Sequence, residues 1–253
     1  MDRRACLIGG TGFVGGNLAR TARFDVLVGS KDIATIRGAR FDLVVCAAPH
    51  AKKWWANLHP DEDKGLVDGL IRELDTVSAE RFVLVSTIDV FPRVRDVDER
   101  FDCHGEPNHA YGRNRLALED FVAQRFRAAH VVRLPALFGH GLKKNAIYDL
   151  VHDNELHKID PGSEYQWYDV ERLWADLQAV MERNLPLVML ATEPIRTEDL
   201  RAAFFPTRKL GEPKGQPARY DVRTIHDREL GGSAGYVMRR DEIMRRLERY
   251  LRS

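Results

Sequence analysis

Apolar and polar positions along this chain fall into two alternating patterns. Short apolar runs closed by glycine, proline or a small polar residue recur as ACLIGG (5–10), FDVLVGS (24–30), FDLVVCAAP (41–49), RFVLVST (81–87), AHVVRLPALFG (129–139) and PLVMLAT (186–192). Each has the length of a β-strand, and the run at 41–49 is apolar but for Asp42, as suits a strand covered on both faces. Between them lie segments with apolar residues three and four apart, as one face of a helix requires: GFVGGNLARTA (12–22), DEDKGLVDGLIRELDTVS (61–78), YGRNRLALEDFVAQRF (111–126) and DVERLWADLQAVMERN (169–184). In the second of these, Leu66, Leu70 and Leu74 form a stripe extended by Val67, Ile71 and Val77. KDIATIRG (31–38) predicts a brief helical or irregular link, and PTRKLGEPKGQPAR (206–219), with three prolines, predicts a loop. The chain closes on RRDEIMRRLERYLR (239–252), an amphipathic helix with Ile243, Met244, Leu247, Tyr250 and Leu251 on one side and its arginines on a solvated face.

Strands alternating with helices predict an α/β fold, a Rossmann-type doubly wound parallel sheet with a small C-terminal substrate lobe. The core is expected over 1–138, with 166–195 returning to it. Residues 139–165 and 196–253 are expected to form the smaller substrate-binding region and the closing helix. The 253 residues carry 39 Lys and Arg against 38 Asp and Glu, so no global field favours nucleic acid or an anionic membrane. No run approaches the length of a membrane span, and the glycine-broken N-terminus does not read as a signal peptide. Cys6, Cys46 and Cys103 are odd in number and form no disulfide framework, which fits a reducing cytoplasm. Cys103, His104 and His109 match no closed metal site, and no metal is expected.

The candidate chemistry starts at Gly9-Gly10-Thr11-Gly12-Phe13-Val14-Gly15, a G-x-x-G-x-x-G pattern at the first strand-to-helix junction. Such a loop lets the backbone approach a pyrophosphate at a helix N-terminus. At the end of the second strand, where an acid would read a ribose 2'-hydroxyl, the chain has Ser30 and Lys31, which lean toward the 2'-phosphate of NADP; Asp32 keeps NAD open. Tyr111 and Arg115 stand one helical turn apart on one face, which places a phenol beside a permanent positive charge. Pro49-His50-Ala51-Lys52-Lys53-Trp54-Trp55 follows the third strand at the ligand-binding edge. It reads as a packed loop, or as a surface that stacks on a base or sugar.

Taken in order, GGTGFVG, VVCAAP, VLVSTIDVF, HAYGRNRLALE, VVRLPALFGHG and QWYDVERLWADL resemble the extended short-chain dehydrogenase/reductase family, in its NAD-dependent epimerase/dehydratase branch, over about residues 4–200. The resemblance implies an NAD(P)-dependent oxidoreductase or epimerase acting on a sugar, in particular a nucleotide sugar. It implies Tyr111 as general acid/base, Thr87 as hydrogen-bond partner of the substrate oxygen, and the basic residue of the helix as binder of the nicotinamide ribose, its charge lowering the Tyr pKa. It implies cofactor contacts from Gly9, Thr11, Gly12, Phe13, Val14, Gly15, Ser30, Lys31, Ala47, Ala48, Tyr111, Arg115 and Pro135, and a homodimer formed through flanking helices. Three positions depart from the family pattern. Arg115 stands where Lys is usual, so a Lys-style proton relay is not expected. Phe91 replaces a Tyr. Ile88 replaces the first acid of the dehydratase pair, leaving Asp89, which disfavours a 4,6-dehydratase. The alternative class is a protein of the same fold that binds NADP(H) as a sensor or scaffold without turnover.

Overall fold

The computed structural model describes residues 4–213 and 215–252; the first three residues of the N-terminal stretch, Lys214 of the predicted loop and Ser253 lie outside the described residues. In chain order the first elements are β1 (Ala5–Ile8), α1 (Phe13–Thr21), β2 (Val26–Val28), β3 (Arg40–Cys46), α2 (Lys53–Leu58), α3 (Pro60–Asp75), β4 (Ser78–Thr87), β5 (Arg95–Val97), α4 (Ala110–Arg125) and β6 (Ala129–Leu134). They are followed by β7 (Ala136–Phe138), α5 (Ala146–His152), β8 (Glu164–Asp169), α6 (Leu173–Glu182), β9 (Leu187–Met189), β10 (Pro194–Arg196), α7 (Thr197–Phe204), β11 (Asp221–Val222) and α8 (Arg240–Leu251). The chain divides into two compact units: Met1–Arg93 with Glu99–Leu134 and Glu171–Met189, and Val94–Asp98 with Pro135–Val170 and Leu190–Ser253.

In the first unit six strands pair in the order β2-β1-β3-β4-β6-β9, every pair parallel. The order reverses between β1 and β3, and that crevice is where open α/β sheets bind ligands. Cys6, Ile8, Phe41, Val44, Cys46, Phe82, Leu84 and Val131 form one core with Val67, Leu70 and Leu74 of α3 and Leu118 and Val122 of α4. Phe82 stacks on Phe126 at 4.2 Å between ring centroids. The alternate strand residues Leu7, Val45 and Val83 are equally buried, and α1 packs with α6, Phe24 meeting Trp174 edge-on. Helices therefore flank both faces, which accounts for the apolar runs 43–46 of β3 and 82–85 of β4.

Several sequence expectations change in the structure. Val77 and Ser78 leave the predicted helix, because the Ser78 N–H bonds the Ala39 carbonyl and opens β4. Leu66, expected in the α3 stripe, is 46% exposed. The predicted strand at 129–139 is two strands: Pro135 has no N–H to continue the ladder, so β6 stays in the six-stranded sheet and β7 joins another. Residues 53–55, read as the end of a loop, open α2. Strand β8 runs to Asp169, so α6 starts at Leu173 after a 3-10 turn.

The second unit holds a three-stranded sheet ordered β10-β8-β7 and a two-stranded pair of β11 with β5. Buried Gln166 ties it together: Nε2 donates to the Thr192 and Val222 carbonyls, and Oε1 accepts from the Val222 N–H. Helix α8 buries Ile243 and Leu247, and Arg246 pairs with Asp169 at 3.0 Å.

Candidate active site

The glycine loop is built by close backbone approach. Gly9 holds φ +87°, and a Cβ there would lie 2.7 Å from the Ala47 carbonyl oxygen, so the end of β3, Ala47-Ala48, packs directly on the loop. A Cβ on Gly15 would collide with the Gly9 backbone. Gly12 differs: a Cβ there would meet only the Gly9 oxygen, at 3.4 Å. Gly12 opens α1 with no side-chain cap and no acid in the first turn, where Phe13 and Val14 follow. The Gly12 N–H donates to the Gly9 carbonyl at 3.0 Å; beyond it, a first turn with no side-chain cap and no acid of its own, and room at Gly12, fits a bound pyrophosphate. Thr11, Ser30 and Lys31 are exposed. A Cβ on Gly29 would lie 3.7 Å from Thr11 Oγ1 and 3.9 Å from Asp32 Oδ2, so Asp32 turns its carboxylate toward the loop while Lys31 reaches into solvent. Pro135 belongs to the second unit and is buried there.

The start of α4 is a dense polar network. His109 caps the helix, its Nδ1 accepting from the Gly112 N–H at 2.9 Å. Asn57 of α2 accepts from the Tyr111 N–H, and Asn108 donates to the carbonyls of Asp89 and Val90. A Cβ on Gly112 would overlap the Asp89 carbonyl, so the glycine of YGRNR lets α4 close on the turn after β4. That turn presents Thr87, whose Oγ1 accepts from the Asp89 N–H at 3.1 Å. Lys53 of α2 donates to Asp89 Oδ1 at 2.6 Å.

Tyr111 is 4% exposed and Arg115 is 5% exposed. The Arg115 guanidinium carbon sits 4.3 Å from the Tyr111 ring centroid, a cation–π arrangement. Its Nη1 donates to Asp63 Oδ2 at 2.8 Å, and its Nη2 donates to Asp63 Oδ1 and the His50 carbonyl, both at 3.0 Å. Asn114 also donates to Asp63, which is fully buried. Burial pushes the Asp63 carboxyl up, but hydrogen bonds from Arg115 and Asn114 and the Arg115 charge outweigh it and hold it below the usual range. The Tyr111 phenol is pushed up to about 12: burial raises it, Arg115 pulls it down less strongly, and Asp89 and Asp63 raise it further. The sequence expectation that Arg115 lowers Tyr111 therefore holds in sign for that one contact, while burial decides the net direction.

One turn further along α4, Glu119 takes three hydrogen bonds from Arg133 of β6 and one from Ser86 at 2.5 Å. The Arg133 guanidinium lies 4.8 Å from the Phe91 ring centroid, so Phe91 serves as a buried platform. Asp63, Gly112 and Glu119 were not singled out in the sequence, and Lys53 was read only as part of the stretch 49–55. Asp63 reads there as an ordinary first-turn acid and Lys53 as a loop charge. The one available signal was Arg115 itself, since a buried arginine requires a counter-charge.

The remaining candidates carry less. A cleft of about 580 Å³ is lined by His50, Lys52, Trp55, Glu62, Gly65 and Leu66 and shares His50 with the Arg115 network. Cys103 is buried and His104 faces Asp120. Among the described residues no three His, Cys, Asp or Glu side chains group as metal ligands, and no helix is long and apolar enough to cross a membrane. Lys143 and Lys144 are exposed in the second unit.

No family model and no curated protein matches the chain. Solved structures do. It is similar to a dTDP-4-dehydrorhamnose reductase from Bacillus anthracis in complex with NADP, at 16% identity and TM-score 0.78, covering 99% of each chain. It is similar to a UDP-N-acetylglucosamine 4-epimerase from Methanobrevibacter ruminantium, at 11% identity and TM-score 0.76, over 99% of this chain and 97% of that one. It is also similar to a dTDP-glucose 4,6-dehydratase from Streptomyces venezuelae with NAD bound, at 15% identity and TM-score 0.73, over 98% and 97%. These neighbours are extended short-chain dehydrogenases/reductases, and at such identities what this chain shares with them is the Rossmann-type fold.

Proposed function

We propose that this chain is an NAD(P)-dependent oxidoreductase or epimerase acting on a sugar carbon, with a nucleotide sugar as its substrate class. The observation that carries the reading is the open, uncapped start of α1 in the same unit as a buried Tyr beside the Thr87 turn. The neighbours of the same fold support it, being named as a nucleotide-sugar reductase, an epimerase and a dehydratase, with NADP or NAD in two of them. The N–H groups at Phe13 and Val14, with Thr11, hold the dinucleotide pyrophosphate over the open face of Gly12, backed by Ala47 and Ala48. Ser30 and Lys31 lean the choice toward NADP, against Asp32. When bound, the nicotinamide supplies or accepts hydride. Thr87 orients the substrate oxygen, and Tyr111 moves the proton between that oxygen and its phenol. Ile88, where the dehydratase branch carries an acid, favours simple reduction or epimerisation over dehydration.

One observation favours a second reading. Arg115 gives both Nη atoms to Asp63 and His50, which suits a dinucleotide-binding protein without turnover. Titration with NADPH and NADH, followed by NADPH oxidation with dTDP-4-dehydrorhamnose and other nucleotide ketosugars, separates the two. Binding with turnover supports the enzyme, binding without turnover supports the sensor, and no binding sinks both.

A further inference from the structure

Arg115 raises a question of charge. A permanent cation placed against a phenol ring should favour the phenolate, yet this cation is neutralised from another helix. Asp63 projects from the first turn of α3 and is fully buried. It accepts both arms of the guanidinium and an amide from Asn114, the residue before Arg115. The arginine is thereby fixed in one pose, its planar fork matched to a carboxylate. We propose that Asp63 is a positioning residue for Tyr111: it holds the Arg115 guanidinium against the phenol ring in one pose and balances its charge, so that the phenol stays neutral and fixed in place. This rests on the reading of Tyr111 as the acid/base group, and deepens it by naming the residue that sets the charge and pose around that group.

The charged groups around Tyr111 support this. Arg115 lies on its own helix; Asp63 comes from α3 and Asp89 from the turn after β4. Lys53 of α2 pairs with Asp89, and His109, 6.3 Å from Tyr111 between ring centroids, is held below its usual range by burial and by Lys53. Asp63 offsets Arg115 and Lys53 offsets Asp89, and burial then favours the neutral phenol. In reduction of a carbonyl, Tyr111 would give its phenol proton to the oxygen and recover one from solvent, while a bound reduced dinucleotide would supply the hydride to the carbon and leave oxidised.

The test needs neither cofactor nor substrate. Tyrosine labelled with ¹³C reports each phenol by NMR, and Tyr111→Phe identifies the Tyr111 signal. The parent should keep Tyr111 protonated through pH 11, about one unit above an ordinary tyrosine. Asp63→Asn should shift its ionisation down by about one unit, Asp63→Glu should restore the parental titration, and Arg115→Met should move it the other way. Should Asp63→Asn fail to fold, Asp63→Asn/Arg115→Gln removes both charges and should leave Tyr111 protonated at every pH the fold survives. The proposal is overturned if folded Asp63→Asn titrates as the parent does, or if the double variant ionises earlier than the parent. With NADPH and dTDP-4-dehydrorhamnose, Asp63→Asn should lower kcat while NADPH affinity stays within about twofold; affinity falling with kcat unchanged would also overturn it. A parent inactive on every ketosugar tried defeats the proposed function alone, because the titration still decides the role of Asp63.

Discussion

The start of α1 has no side-chain partners: Gly12 provides no side-chain cap, the first turn has no acid, and space remains where a Cβ would stand. At the start of α4 the polar positions are filled. His109 caps Gly112, Asn57 takes the Tyr111 N–H, and Asp63 holds Asn114 and Arg115. Both are helix N-termini in the same unit, and both carry the positive end of a helix dipole. The first leaves that potential for a ligand, and the second spends it internally to fix side chains. A binding loop can be made of backbone alone, whereas a group that moves a proton must be held in place by a surrounding network.

If this division is right, substitutions in the two places should separate chemistry from binding. Tyr111→Phe should cut ketosugar reduction by about 10²–10⁴-fold, the usual worth of a general acid, with dinucleotide affinity within twofold of the parent. Intact turnover in that variant would remove Tyr111 from the mechanism. Gly12→Val should do the reverse. Its branched side chain occupies the open cradle without striking the protein, so NADPH affinity should fall at least tenfold, about 1.4 kcal/mol, with little change in thermal midpoint. Unchanged affinity in the folded variant would place the dinucleotide elsewhere.

The cap of α4 offers a pH test. Burial, then Lys53, holds the His109 pKa below its usual value. The stability that His109 contributes is therefore present above about pH 6.5, its unfolded value, and is lost as pH falls through the lower folded value. Protonation also removes the lone pair that accepts from Gly112. His109→Ala should cost about 1 kcal/mol at pH 7 and flatten that acid-side loss in urea titrations; an unchanged pH slope would show that His109 is not its source. The smallest effect is expected at the adenosine end. Lys31→Ala should weaken NADPH more than NADH by roughly 0.5–1 kcal/mol, the scale of an exposed charge pair. Tighter NADH binding in the parent would instead make Asp32 the deciding group.

The strands, the main helices and the glycine loop were legible in the sequence because they are local. Apolar runs of strand length, three- and four-residue spacing, and a G-x-x-G-x-x-G pattern at a strand end each follow from a few neighbouring residues. Tyr111 and Arg115 were legible for the same reason, one turn apart on one helix. The break at Pro135 also lay within one residue's chemistry, yet nothing local said that β7 would join a different sheet from β6. What the tertiary structure decided is where charges meet. Asp63 lies 52 positions from Arg115, and Lys53 lies 36 from Asp89. Periodicity does not register such separations, and only packing α3, α2 and the turn after β4 around the start of α4 brings these groups together. Burial follows from the same packing, and it is burial that turns a Tyr–Arg pair, read from sequence as a lowered phenol, into a phenol raised to about 12.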